Sequence, residues 1–228
     1  MFFFFFFLIF YKNSYGGPIA NFFLTCGIVD QIWKDKYIKS FIPYGSPFDG
    51  SNVAALTMIL QSDGGASHIT EGFRILARQI SSSAWLIPIC DYRKDLVFIE
   101  TPKRKYRGSD LKEFFEDFDL KATAGNFYDN LKYKKTLAPN VPVNCFYGMN
   151  LTTVTGFKLN EKGEASVLSS EEGDDTVPLR DLEICDGWSK QQDTKKYPVK
   201  LFKINNLEHK DTTSELFLNS LTSILNQD

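Results

Sequence analysis

The alternation of apolar and polar positions predicts strands and helices in turn through the first part of the chain. Residues 2–10 form an unbroken apolar run, which is typical of a strand buried on both faces of a parallel sheet. After a Gly-Gly pair, apolar side chains recur at helical spacing at Ile19, Phe22 and Phe23. Residues 37–43 have the composition of a second strand. This order of strand, helix and strand predicts a parallel crossover unit.

The remaining pattern predicts an α/β fold with a mostly parallel sheet flanked by helices. Residues 143–148 and 199–204 have strand composition, and a terminal helix is predicted after them. Between the two halves the periodicity loosens, and we interpret residues 52–135 as a cap or lid insertion. For its polar, glycine-bearing stretch at 61–68, an ordinary surface loop is the alternative to a mobile lid. No repeat or linker divides residues 1–228, so one domain is predicted.

Composition and charge exclude some classes of partner. The 228 residues carry 26 Lys and Arg against 28 Asp and Glu, a net charge of −2. Because the chain has no excess of positive charge and only one short basic stretch, nucleic acid is not a predicted partner. The four cysteines are too few and too far apart for a zinc ribbon, and we predict neither a metal nor a cofactor. The aromatic content of 15% suits an apolar substrate and equally an ordinary core.

A serine at a predicted strand-to-helix junction is the first candidate for catalysis. The sequence Asn13-Ser14-Tyr15-Gly16-Gly17 directly follows the apolar run. In α/β-hydrolases a buried strand turns sharply into a helix, and the strained turn holds a serine hydroxyl clear of the backbone. Ser14 is therefore the candidate nucleophile of a partial α/β-hydrolase fold, and we expect the strands that normally precede this one to be missing from the sequence.

Two further groups complete the set that a serine nucleophile needs, namely an imidazole to accept its proton and a carboxylate to orient the imidazole. Of the two histidines, His209 lies between a predicted strand and the terminal helix, whereas His68 lies in the predicted lid and is interpreted as a surface residue. The carboxylate is expected between the serine and the histidine in chain order. Asp174 and Asp175, which follow a predicted strand, are the candidates.

The order of these motifs resembles the lecithin:cholesterol acyltransferase family, which includes lysosomal phospholipase A. The resemblance is collinear and extends from residue 13 over nearly the whole of the remaining chain. It rests on the segments 13–18, 33–38, 46–51, 97–102, 106–108, 138–143, 145–148, 173–177, 185–188 and 208–209.

This resemblance implies a chemistry and its residues. A serine acyl-enzyme would form on Ser14, with His209 as base and with Asp174 rather than Asp175 orienting it. The backbone N–H of Tyr15 is implied as a donor to the oxyanion. The acyl donor would be a glycerophospholipid ester at a membrane or lipoprotein surface to which the protein binds peripherally. Transfer to water would make the protein a phospholipase and transfer to a lipid alcohol would make it an O-acyltransferase, and both stay open.

The cysteines and one asparagine bear on the cellular compartment. Cys145 and Cys185 match the positions of a family disulfide, which implies an extracellular or lysosomal protein of the secretory pathway. Two reduced core cysteines are the alternative. Asn150 begins an Asn-Leu-Thr sequon, which is consistent with that compartment. Cys26 and Cys90 are expected to be unpaired.

Two alternatives to this interpretation stay open. We expect the N-terminal part of the fold to be absent, including a loop that would give the second oxyanion donor, so an inactive relative that binds lipid is the alternative to an enzyme. The phenylalanine run is also compatible with a signal peptide or a membrane anchor. It is too short for a helix that spans a bilayer, which needs about 20 residues, and we favour the buried strand.

Overall fold

A computed structural model describes residues 8–60, 71–88, 94–134, 136–211 and 215–225. In chain order its elements are β1 (Leu8–Asn13), α1 (Gly16–Thr25), α2 (Gln31–Tyr37), β2 (Ile38–Tyr44), α3 (Asn52–Ile59), α4 (Glu71–Gln79), α5 (Ser81–Trp85), β3 (Val97–Glu100), β4 (Lys105–Arg107), α6 (Leu111–Asp117), α7 (Lys121–Leu131), β5 (Val143–Met149), β6 (Leu151–Leu159), β7 (Ala165–Gly173), α8 (Leu179–Leu182), β8 (Val199–Asn205) and α9 (Glu215–Leu225), with 3₁₀ turns at Gly108–Asp110 and Glu183–Lys190.

The first sheet is parallel throughout and has the order β1-β2-β5-β8. Its two central strands, β2 and β5, are buried along most of their length, as expected for strands inside a parallel sheet. The predictions of strands near 37–43, 143–148 and 199–204, and of a mostly parallel α/β fold, are confirmed. Residues 8–10 of the apolar run lie in β1, which pairs in parallel with β2 as predicted. The prediction of burial on both faces is wrong for these residues, because β1 is the edge strand of the described sheet and Leu8 and Ile9 are exposed. Residues 2–7 lie outside the described part.

Helices cover both faces of this sheet because successive side chains on a strand point to opposite faces. Phe41 packs with Leu24 of α1 in one apolar cluster. Its neighbour Ile42 packs on the other face with Phe146 and with Phe217 of α9. The sheet is therefore held between two separate cores, which fix the strand ends where the candidate residues lie.

A second sheet, of order β4-β3-β6-β7, belongs to a separate core. The predicted insertion 52–135 supplies β3, β4 and the helices α3 to α7. These helices pack Ala55, Phe114 and Phe127 around the buried Phe98. The sequence did not predict that the β6–β7 hairpin would complete this sheet. The stretch 61–68 lies outside the described residues, and a lid role for the insertion stays a prediction.

The candidate residues converge at the carboxyl edge of the first sheet. Ser14 directly follows β1, and Gly45 directly follows β2. Asp174 follows β7, which returns from the hairpin begun after β5. His209 comes after β8. In open α/β sheets this edge is where ligands bind, so the topology places a site here before any side chain is considered.

Candidate active site

The turn that carries Ser14 has a strained backbone. Ser14 has a φ of 49°, in the left-handed region that L-residues seldom occupy. Its N–H donates to the carbonyl of Tyr44 at 2.9 Å, and its own carbonyl accepts from Gly17 N–H at 3.0 Å. These bonds clamp the turn between the end of β2 and the start of α1. Strain of this kind costs about 1–3 kcal/mol and is found where the surrounding structure holds a functional side chain in place.

Ser14, His209 and Asp174 form one hydrogen-bonded line. His209 Nε2 lies 2.9 Å from Ser14 Oγ, and His209 Nδ1 lies 2.9 Å from Asp174 Oδ2. When Nδ1 directs its proton to the carboxylate, Nε2 presents a lone pair to the serine hydroxyl. The geometry therefore allows a proton to pass from Ser14 to His209 while the carboxylate faces the resulting imidazolium.

Asp174 is held by its own loop as well as by the histidine. The side chain is 1% exposed, and its Oδ1 accepts the N–H groups of Thr176 at 3.2 Å and Val177 at 2.7 Å. The Asp174 carbonyl accepts His209 N–H at 2.8 Å. The acid is thus fixed in orientation before any substrate is present.

Asp175 lies outside this line although it is adjacent in sequence. It is exposed and has a φ of 77°, which turns the chain away from the site. Its N–H donates to Thr153 Oγ1 at 3.0 Å, and its carboxylate accepts from Thr176 Oγ1 at 2.7 Å. Of the two candidate carboxylates, the structure brings Asp174 to His209.

Ser14 opens on a groove of about 220 Å³ between the first sheet and the helices of the insertion. The groove is lined mainly by carbon, which is the environment that an acyl chain requires. Its apolar lining includes Pro47, Val53, Ala54, Phe73, Ala77 and Leu86.

Comparison with known proteins relates this chain to a family. The family model described as lecithin:cholesterol acyltransferase matches residues 8–128 and 120–220. The chain belongs to the lecithin:cholesterol acyltransferase family. It is similar to phosphatidylcholine-sterol acyltransferase of Homo sapiens, with 31% identity over 209 residues that cover 86% of this chain and 45% of that protein. With lysosomal phospholipase A and acyltransferase of Bos taurus the identity is 28% over 188 residues, or 76% and 46% of the two chains. The chain spans about half the length of these curated relatives.

The disulfide implied by membership of the lecithin:cholesterol acyltransferase family is confirmed. Cys145 and Cys185 are bonded across a sequence separation of 40, with both residues buried. The bond ties β5 to the 3₁₀ turn Glu183–Lys190, which follows the acid loop. A bond that closes a loop of this size contributes about 2–4 kcal/mol to stability. Cys26 is unpaired, as expected, and it is exposed. Cys90 and His68 lie outside the described residues.

The structure also describes two other predicted site residues, Tyr15 and Asn150. Tyr15, whose backbone N–H is the predicted oxyanion donor, lies between Ser14 and the first residue of α1. Burial raises the pKa of its phenol to about 12, so the side chain stays neutral at physiological pH. Asn150 is exposed at the turn between β5 and β6.

The described residues carry neither a candidate metal centre nor a helix able to span a bilayer. Over these ranges, no group of three or more His, Cys, Asp or Glu side chains is arranged to hold a metal ion. In the same ranges, every helix falls short of the length and apolar character that crossing a membrane demands.

Two residues that support the candidate site, Thr153 and Tyr44, were not predicted from the sequence. Thr153, fully buried on β6, holds the acid loop through Asp175 N–H, and it lies in a hairpin that the sequence did not predict. Tyr44 contacts the loops of both Ser14 and His209. Its place at the carboxyl end of a predicted strand, on the same edge as Ser14, was the available signal.

Proposed function

We propose that this chain transfers an acyl group from a glycerophospholipid ester to water or a lipid alcohol through an acyl-enzyme on Ser14. The observation that carries the proposal is the hydrogen-bonded line Ser14–His209–Asp174 at the mouth of an apolar groove. The names of the relatives, a phosphatidylcholine-sterol acyltransferase and a lysosomal phospholipase A and acyltransferase, support the substrate class.

In the first half-reaction, His209 Nε2 takes the proton of the Ser14 hydroxyl as Oγ attacks the ester carbonyl. Asp174 Oδ2 holds Nδ1–H and stabilises the positive charge that develops on the imidazole. The oxyanion of the tetrahedral intermediate accepts a hydrogen bond from Tyr15 N–H, at the positive end of α1. The intermediate collapses when the lysophospholipid oxygen leaves with the proton from His209 Nε2, and the acyl group remains on Ser14.

In the second half-reaction, water or an alcohol enters the same position. His209 removes its proton, the oxygen attacks the acyl carbonyl, and Ser14 leaves with the proton returned by Nε2. Water releases a fatty acid, and a lipid alcohol leaves as a new ester. The same residues serve both outcomes, so the acceptor decides whether the protein acts as a phospholipase or as an acyltransferase.

The exposed side of α4 supports a site of action at a lipid surface. Phe73, Ile75 and Leu76 are exposed on this short helix, and Phe73 also lines the groove that reaches Ser14. An apolar rim beside an apolar groove gives a lipid molecule a route that avoids water. We therefore propose peripheral binding to a membrane or lipoprotein surface.

We further propose that the protein matures in the secretory pathway, in keeping with its disulfide. Expressed in a secreting eukaryotic cell, it is expected to carry one N-linked glycan on Asn150, because the Asn150 sequon is exposed at a turn. Treatment with a glycosidase that removes N-linked glycans should lower the apparent mass of the wild type but not of Asn150→Gln. The same mass before and after treatment of the wild type would contradict this proposal.

A fluorophosphonate probe tests the proposed nucleophile. Only an activated serine reacts with it, so the folded 228-residue chain should be modified once, on the peptide that contains Ser14, as read by mass spectrometry. Ser83→Ala is the matched control, because Ser83 lines the same groove but has no place in the proposed mechanism. This variant should be labelled like the wild type. A folded chain that stays unlabelled would favour the inactive lipid-binding relative.

A further inference from the structure

Tyr44 is buried at the end of β2, in the middle of the first sheet. Its side chain is 1% exposed. The hydroxyl donates a bifurcated hydrogen bond to the carbonyls of Glu208 at 3.0 Å and Asp211 at 3.3 Å. These two carbonyls flank His209 in the chain, so one hydroxyl holds the histidine loop on both sides of the histidine.

The backbone of Tyr44 and of the residue after it contacts the other two residues of the hydrogen-bonded line, Ser14 and Asp174. The Tyr44 carbonyl accepts Ser14 N–H at 2.9 Å. The next residue, Gly45, has a φ of 52° and lies against the pair that orients the base. A Cβ at Gly45 would come within 3.0 Å of His209 Nδ1 and 3.1 Å of Asp174 Oδ2. The end of β2 is thus in contact with all three parts of the site.

We propose that Tyr44 is a positioning residue whose hydroxyl holds the His209 loop at the distance from Ser14 that proton transfer requires. The expected effect of Tyr44 on the rate of reaction at Ser14 rests on the proposed function. The expected effect of Tyr44 on the position of the His209 loop does not. Tyr44 acts through the backbone of the loop, and its side chain has no role in binding the substrate.

The surroundings of Tyr44 keep its hydroxyl a donor. Burial, followed by the nearby carboxylates of Asp174 and Asp211, raises the pKa of the phenol, so the proton stays on the oxygen. The ring packs edge-on against Phe217, with centroids 4.8 Å apart. A phenylalanine at this position would keep the ring contact and lose only the hydrogen bond.

The test compares Tyr44→Phe with Tyr106→Phe in the full chain. Tyr106, on β4 of the second sheet, is a matched control. It is 3% exposed, and its hydroxyl donates to Asp117 of α6 at 2.8 Å. The loss of one neutral hydrogen bond typically changes an equilibrium or a rate by up to about tenfold. We expect the maximal rate of fluorophosphonate labelling to fall about five- to tenfold in Tyr44→Phe, with no change in the probe concentration that gives half of that rate. Tyr106→Phe should label like the wild type.

A second measurement does not depend on catalysis. The Nδ1–H of His209, hydrogen-bonded to Asp174, should give a downfield proton resonance that His209→Ala removes. We expect this resonance to weaken in Tyr44→Phe and to persist in Tyr106→Phe. If the wild type is not labelled at all, the proposed function fails, and the resonance alone decides the role of Tyr44. The inference is overturned if the resonance is the same in the wild type, Tyr44→Phe and Tyr106→Phe. It is also overturned if Tyr44→Phe and Tyr106→Phe are labelled at equal rates.

Discussion

Replacing Asp174 with asparagine is expected to lower the rate of acyl transfer to Ser14 by about 10⁴-fold, the size of effect that this change has in serine hydrolases. The carboxylate accepts Nδ1–H of His209, which leaves Nε2 free to take the serine proton. An asparagine amide can donate to Nδ1 instead. The imidazole would then carry its proton on Nε2 and could no longer act as a base for Ser14.

Asp175→Asn is the matched control for this prediction, because the two aspartates are neighbours and the substitution is the same. Asp175 is exposed and contacts Thr153 and Thr176 rather than the histidine. Its loss should leave the rate essentially unchanged. Single-turnover kinetics with a chromogenic ester measures both variants. Equal rates for the two variants would mean that Asp174 is not the acid of this site.

The second large effect is expected from Gly148→Ala, at the end of β5. A Cβ at this position would lie 1.9 Å from the Leu207 carbonyl oxygen and 3.1 Å from Asp174 Cβ. Because the obstruction is backbone, the His209 loop would have to move away from β5 and from the acid. We expect stability to fall by about 3 kcal/mol, as for overpacked cores. The folded fraction should also label about 10²-fold more slowly, since a shift of 1 Å misplaces the base.

Gly125→Ala separates this effect from glycine replacement in general. Gly125 lies inside α7, and a Cβ there would meet nothing within 4 Å. Alanine at an interior helical position should raise stability by about 0.5–1 kcal/mol. Thermal and urea unfolding measure both variants. The close approach of β5 and the His209 loop would be disproved by a Gly148→Ala protein as stable and as reactive as the wild type.

The sequence predicted the parallel sheet because its two central strands are buried and carry apolar neighbours, as in Phe41-Ile42 and Cys145-Phe146. His209 was nearly forced, since the chain has only two histidines. The choice between Asp174 and its neighbour needed the family resemblance, because it depends on a backbone turn that leaves no mark in composition.

The second sheet escaped prediction for a physical reason. β7 is an edge strand that pairs only with β6 among the described strands, and most of its side chains are polar and at least partly exposed. The sequence indicated a strand before Asp174, but an edge strand of this kind has no apolar period that would show its length or its pairing with β6. Because the β6–β7 hairpin was not predicted, the course of the chain between β5 and Asp174 could not be predicted either.

The role of Tyr44 was hidden for a different reason. Its hydroxyl bonds to the carbonyl of Glu208, 164 residues further along the chain. Every residue has a carbonyl, so the partner carries no side-chain signature. Only the folded chain shows which carbonyls come near the end of β2.

The central claim about this protein is that Ser14 receives an acyl group during the reaction. The most direct test incubates the full chain with phosphatidylcholine vesicles, stops the reaction with acid within the first turnover and maps the peptides by mass spectrometry. We expect one fatty-acyl ester, on the peptide that contains Ser14, and none in Ser14→Ala. Lipid turnover without an acyl adduct, or an adduct that maps to another residue and persists in Ser14→Ala, would contradict it.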